Sequence, residues 1–124
     1  MDEGEMNKIT ILLIGLLICG CDDTSVENKL FESISSPSKS FKAVVFQRTA
    51  GATTGFNRQV AILESNEPFA KSDKIESFFC IKGEAKIEVV WLSETNILVR
   101  YPLWQQIIRT NSQVGKISVV YEAH

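Results

Sequence analysis

Histidine occurs once in these 124 residues, at the final position, His124, and that scarcity excludes more chemistry than any other feature of the chain. A Ser-His-Asp or Cys-His nucleophile would have to take its base from the end of the chain. A histidine–cysteine metal site needs more ligands of those types than are present. Cysteine is nearly as scarce. Cys19, Cys21 and Cys80 are too few and too unevenly spaced for a disulfide scaffold. No apolar run reaches the roughly 20 residues needed to cross a hydrocarbon core. Charge of one sign is also missing. Three of the 15 acidic residues and one of the 13 basic ones precede residue 22, which leaves twelve of each beyond it. The basic residues there are scattered singly, so nothing points to nucleic acid as a partner.

What is present is concentrated first at the N-terminus. Lys8 precedes an apolar run, Ile9 to Ile18, broken only by Thr10 and Gly15, and Ile18-Cys19-Gly20-Cys21 follows. A short apolar segment leading to a small residue and then cysteine is the pattern of a bacterial lipoprotein signal, with Cys21 as the lipidation site. Cys19 is the poorer candidate, because Ile18 would occupy the position beside the cut. Met6-Asn7-Lys8 makes a better start to such a signal than the acidic Asp2-Glu3-Gly4-Glu5. Diacylglycerol on Cys21, with acyl chains such as palmitate, supplies two chains at about 0.8 kcal/mol per buried CH₂, enough for stable anchoring. The expected organisation is a signal peptide over 1–20, a lipidated cysteine and polar tether over 21–30, and one β domain over 31–124. The membrane, reached through Cys21, is the first expected partner, and the domain faces outside the cytoplasm. Asp22-Asp23 resembles an inner-membrane retention signal in cells that sort lipoproteins.

Beyond residue 30 the period is two, with β-branched and aromatic residues, which is the strand signature. Strands are expected at 41–49, 57–64, 74–81, 85–92, 97–103, 104–110 and 116–123, with a turn of helix near 31–35 or 68–73. Arg58, Val60 and Ile62 should share one face of their strand, and Gln59, Ala61 and Leu63 the other. Ile97, Val99, Tyr101 and Leu103 should likewise form one face, with Trp91 and Tyr101 in a cross-strand aromatic cluster. Local hairpins are the favoured connections. The expected fold is therefore all-β: a small antiparallel meander of six or seven strands, as a curled sheet or a flattened sandwich. Cys80, in Phe78-Phe79-Cys80-Ile81, reads as a small buried hydrophobe. Glu84 and Glu88 share a face but lie about 13 Å apart, beyond the range for paired-carboxylate glycoside hydrolysis.

The stretch from Ser36-Pro37-Ser38-Lys39-Ser40-Phe41-Lys42-Ala43 to Gly51-Ala52-Thr53-Thr54-Gly55-Phe56 resembles an uncharacterised family of small bacterial secreted and lipoprotein-like domains. Its members join a Ser-Pro-Asp-Gly-Lys-Tyr-Lys-Ala opening to an Arg-Asp-Cys-Gly-Ala-Thr-Thr-Gly-Phe loop. The resemblance continues through Gln59 to Leu63, Val89 to Leu92, Leu98 to Tyr101 and Ile117 to Tyr121. It implies a small exported β domain and supplies no activity. Ala50 stands where the family pattern has cysteine, and Ser38-Lys39 stands where it has Asp-Gly.

Gly51-Ala52-Thr53-Thr54-Gly55 is the one segment that reads as a site. Its glycines permit positive φ and converging backbone N–H groups, and Thr53 and Thr54 add hydroxyls. Arg48 and Arg58 flank it on the adjoining strands. The loop suits a small anion or carboxylate nest, or a protein-contact tip, while a wide hairpin connection with no ligand accounts for the same residues. No catalytic residue, metal or cofactor is assigned. The expected function is a membrane-anchored envelope lipoprotein whose domain binds a protein or a cell-wall component without catalysis. An accessory lipoprotein with no dedicated ligand and a small histidine-independent hydrolase are the alternatives.

Overall fold

A computed structural model describes residues 26–50, 55–70 and 75–124. The signal segment, Cys21 and most of the tether lie outside these described residues. Among the described residues nine strands form two sheets: β1 (Val26–Ser35), β2 (Phe41–Ala50), β3 (Phe56–Glu64), β4 (Phe79–Lys82), β5 (Glu88–Ser93), β6 (Asn96–Tyr101), β7 (Ile107–Thr110), β8 (Gln113–Val114) and β9 (Ile117–Ala123). One sheet has the order β1-β2-β3-β4-β7 and the other β5-β6-β9-β8. The fold is all-β, as the periodicity implies, but it is not a single meander of six or seven strands. The chain leaves the second sheet after β6, adds β7 to the edge of the first, and returns through β8. β9 then pairs with β6 in parallel, Asn96 opposite Ser118 and Tyr101 opposite Ala123.

Two strands depart most from expectation. β1 occupies residues assigned to the tether and to a helical turn. It pairs with β2 from Val26↔Ala50 to Ser35↔Lys42, with an irregularity between Leu30 and Glu32 that takes Phe31 out of the ladder. Residues 75–78 belong to no strand, although Phe78 N–H donates to the Val60 carbonyl at 2.9 Å, so β4 shrinks to Phe79–Lys82. β6 stops at Tyr101 because Pro102 follows, with no N–H to continue the ladder. Leu103 therefore does not join the face of Ile97 and Val99; it is exposed.

The facing sides of the two sheets enclose the main core, where Val45, Val60, Phe79 and Ile81 meet Val89, Ile97, Val99 and Val119. Phe79 packs between Tyr101 and Tyr121, at 5.3 and 5.4 Å between ring centroids. Trp91 is directly opposite Ile97, not Tyr101, so the expected Trp91–Tyr101 pair does not form. The Trp91 indole N–H instead donates to the Ile34 carbonyl at 2.9 Å, which ties the first sheet to the second.

The alternation expected in β3 holds, and both of its faces are apolar. Val60 and Ile62 face the second sheet. Ala61 and Leu63 join Val44, Phe46 and Ile75 in a separate cluster on the outer side, under Phe69 and Ala70. The first sheet is thus covered on both faces at β2 and β3, one by the second sheet and one by Phe69, Ala70 and Ile75.

Turns at one end of the sandwich are uniformly polar. The Glu94 carboxylate accepts from the Ser36 hydroxyl at 3.1 Å and the Ser38 amide at 2.9 Å, clamping the β1–β2 turn to the β5–β6 turn. Hydrogen bonding from Ser38 holds the Glu94 carboxyl below the usual glutamate range. Within that turn Lys39 adopts φ of 63°, the left-handed region that favours glycine. A side chain there costs about 1–2 kcal/mol, partly offset by the greater unfolded-state freedom of glycine. Lys39→Gly should therefore raise stability in urea unfolding by about 0.5–1 kcal/mol; an unchanged or lower midpoint would contradict the assignment.

Candidate functional site

Of the residues singled out in the sequence, Gly51, Thr53 and Thr54 lie outside the described residues. Gly55 has φ of 73°, as the turn argument requires of a glycine there. Arg48 and Arg58 sit at the same end of the β2–β3 hairpin but project to opposite faces, because Arg48 is opposite Asn57 and Arg58 is opposite Gln47. The structure does not bring them together on one surface.

Arg58 lies on the inner side. Its guanidinium stacks on the Phe31 ring at 3.9 Å, and it donates to Gln47 Oε1 at 3.3 Å and to the Ala85 carbonyl at 3.2 Å. Burial pulls its pKa down, an effect the nearby Glu84 carboxylate opposes. These contacts close the end of the inter-sheet core. They make Arg58 a structural clamp.

Arg48 lies on the outer side with Asn28 and Phe46. Its Nε donates to Asn28 Oδ1 at 2.9 Å and one Nη to the Ile75 carbonyl at 2.9 Å. The same stretch is gripped from the far strand, where Arg109 on β7 donates to the Ser77 hydroxyl at 2.9 Å. Between the two arginines the strand register sets Gln59 opposite Cys80 and Cys80 opposite Arg109. Cys80 is buried, and burial pushes its thiol up; the positive charges of Arg109 and then Arg48 pull the other way. Gln59 is also buried. Its amide N–H donates to Asn57 Oδ1 at 2.7 Å, while its Oε1 has no hydrogen-bond partner.

Above this row Arg48, Ile75, Glu76, Ser77, Arg109 and Asn111 line an open concavity of about 400 Å³. Asn111 is fixed there by the Tyr121 hydroxyl, which donates to its carbonyl at 2.6 Å, and by its own N–H on the Phe78 carbonyl at 2.9 Å. Burial drives the Tyr121 phenol up to about 12, so it stays a donor across the physiological range. Among the described residues neither Arg48 nor Arg109 has a carboxylate within ion-pair distance; the only pairs are Arg100 with Glu88 and with Glu122 on the second sheet. Two guanidiniums, a hydroxyl and an amide on one wall form a set of donors for an anionic group. Among the described residues, no three of His, Cys, Asp and Glu come together as a metal site.

Arg109, Ser77 and Asn111 were not legible as site residues. Arg109 lies 61 positions from Arg48, and only the order β2-β3-β4-β7 carries it to the same face. The one sequence signal was an arginine inside the isoleucine-rich run 107–110. A scan against family models gives no match, and comparison with curated proteins and with solved structures gives none either.

The two arginines should separate by role. Arg48→Met leaves the Ile75 carbonyl without its donor beside a buried cluster and should cost about 1.5–3 kcal/mol in urea unfolding. Arg109→Met, at an exposed position, should stay within about 0.5 kcal/mol. Equal losses would contradict the distinction.

Proposed function

We propose that this chain is a bacterial envelope lipoprotein, anchored by diacylglycerol on Cys21, whose β domain binds a protein or cell-wall component without catalysis. The observation that supports a binding role is the convergence of Arg48 and Arg109 on one concavity, with Ser77 and Asn111 beside them. Among the described residues Glu76 is the one acidic side chain on that wall, so the described lining carries a net charge of one positive unit. That balance suits a single carboxylate, as in a peptide terminus or a cell-wall stem, better than a multiply charged phosphate. The Gly51–Gly55 loop is kept as a second contact at the same end of the hairpin.

Two measurements test this reading. Intact mass spectrometry of the membrane-extracted protein should show a chain beginning at Cys21 and carrying diacylglycerol, and Cys21→Ser should abolish both processing and attachment. Cosedimentation with insoluble cell-wall material, together with crosslinking in intact envelopes, should recover a ligand. Arg109→Gln should weaken that recovery about tenfold or more, the value of one charge-assisted hydrogen bond. Recovery that is equal in wild type and variant would remove the concavity from the account.

A further inference from the structure

The two ends of the sandwich differ in character. At the end made by Ser36–Ser40, Ser65–Glu67 and Glu94–Asn96 every turn is polar. At the opposite end Trp104 is 77% exposed, Leu103 73% and Phe56 37%. These side chains are not on a loosely held stretch. The Leu103 N–H donates to the His124 carbonyl at 2.8 Å, Gln105 N–H to the Pro102 carbonyl at 3.1 Å, and Lys82 N–H to the Gln106 carbonyl at 2.9 Å. The Gln105 side-chain amide bonds the Lys82 carbonyl, and Gly83 N–H bonds the Phe56 carbonyl at 3.0 Å. Large apolar side chains are therefore displayed on a fixed frame.

Strand register places the start of the folded domain at this same end. Val26 is opposite Ala50, Thr49 opposite Phe56, Asn57 opposite Lys82, and Ile81 opposite Ile107. Five residue steps separate Cys21 from Val26, a span of at most roughly 17 Å. The four gaps from β1 to β7 add up to only about 19 Å of sheet width. A lipid on Cys21 thus holds this end, and not the polar one, next to the bilayer.

We infer that the Phe56–Leu103–Trp104 end is a lipid-contacting surface, in which Trp104 and Leu103 enter the boundary between headgroups and acyl chains and set the tilt of the domain. The inference rests on the proposed lipidation of Cys21. Indole rings favour that boundary because one edge is apolar and the N–H still finds a polar partner. The occupant is the lipid surface itself; a second copy docking along the exposed edge of β7 is the competing outcome.

The test uses the lipidated full chain in phosphatidylcholine vesicles, with and without bromine placed shallowly on the acyl chains. Trp91 is half-buried with its N–H on the Ile34 carbonyl, so it provides an unresponsive background. Emission should shift to the blue on reconstitution, brominated lipid should quench the Trp104 contribution because the indole sits at the headgroup boundary, and Trp104→Phe should abolish both effects. A protein that floats with the vesicles yet shows no quenching overturns the inference and leaves the anchor standing. So does a blue shift without quenching that accompanies a dimer in light scattering. Protein that does not float, with no diacylglycerol on Cys21 by mass, overturns the anchor and the inference together.

Discussion

Covering β2 and β3 on both faces is the constraint on which the rest of the structure depends. A strand pair with one buried face tolerates polar residues on the other, but Val44, Phe46, Ala61 and Leu63 require a roof. Phe69, Ala70 and Ile75 supply it, and Phe69 meets Phe46 edge-on at 5.6 Å. A roof without strand pairing must satisfy its backbone groups in other ways. Arg48 on the Ile75 carbonyl and the Asn28 amide on the Ala70 carbonyl at 3.3 Å do so. The concavity between Arg48 and Arg109 follows from this arrangement, since it lies where the roof ends and the two guanidiniums hold the exposed margin.

The same logic explains what could be read in advance. Side-chain alternation in β3, and in β6 as far as Tyr101, named the correct faces, because a period of two survives any choice of sheet partner. Apolar residues on both faces of β2 and β3 were already a sign of two-sided burial. β1 escaped notice because its polar stretch is interrupted at Phe31, where the bulge breaks the period. The parallel β6–β9 pair and the passage of β7 to the other sheet are long-range choices that local hairpin reasoning does not contain. Arg48 and Arg58 were visible as flanks of a loop; that they face opposite ways follows from register. Arg109 joins Arg48 only through topology.

The polarity of the sandwich also emerges only in three dimensions. Polar turns from three separate stretches gather at one end, and Phe56 gathers at the other with the adjacent pair Leu103 and Trp104, far from it in the chain. Pro102 matters here, since ending β6 at Tyr101, two residues before Leu103, turns two large side chains outward. The Glu94 clamp fixes the polar end and the Gln105–Lys82 contact fixes the apolar one. A short tether from Cys21 would convert that asymmetry into an orientation, leaving the arginine concavity on the flank of a domain standing on the membrane.

The two-sided cover is tested most directly by native-state hydrogen exchange resolved along the chain. Amides of Val44 to Phe46 and of Val60 to Leu63 should exchange only through global unfolding, and those of the short edge strands β7 and β8 through local opening at much lower cost. Exchange at Val44 to Phe46 as fast as at Ile107 to Thr110 would show that the outer face is open and that the roof over residues 44–63 does not form.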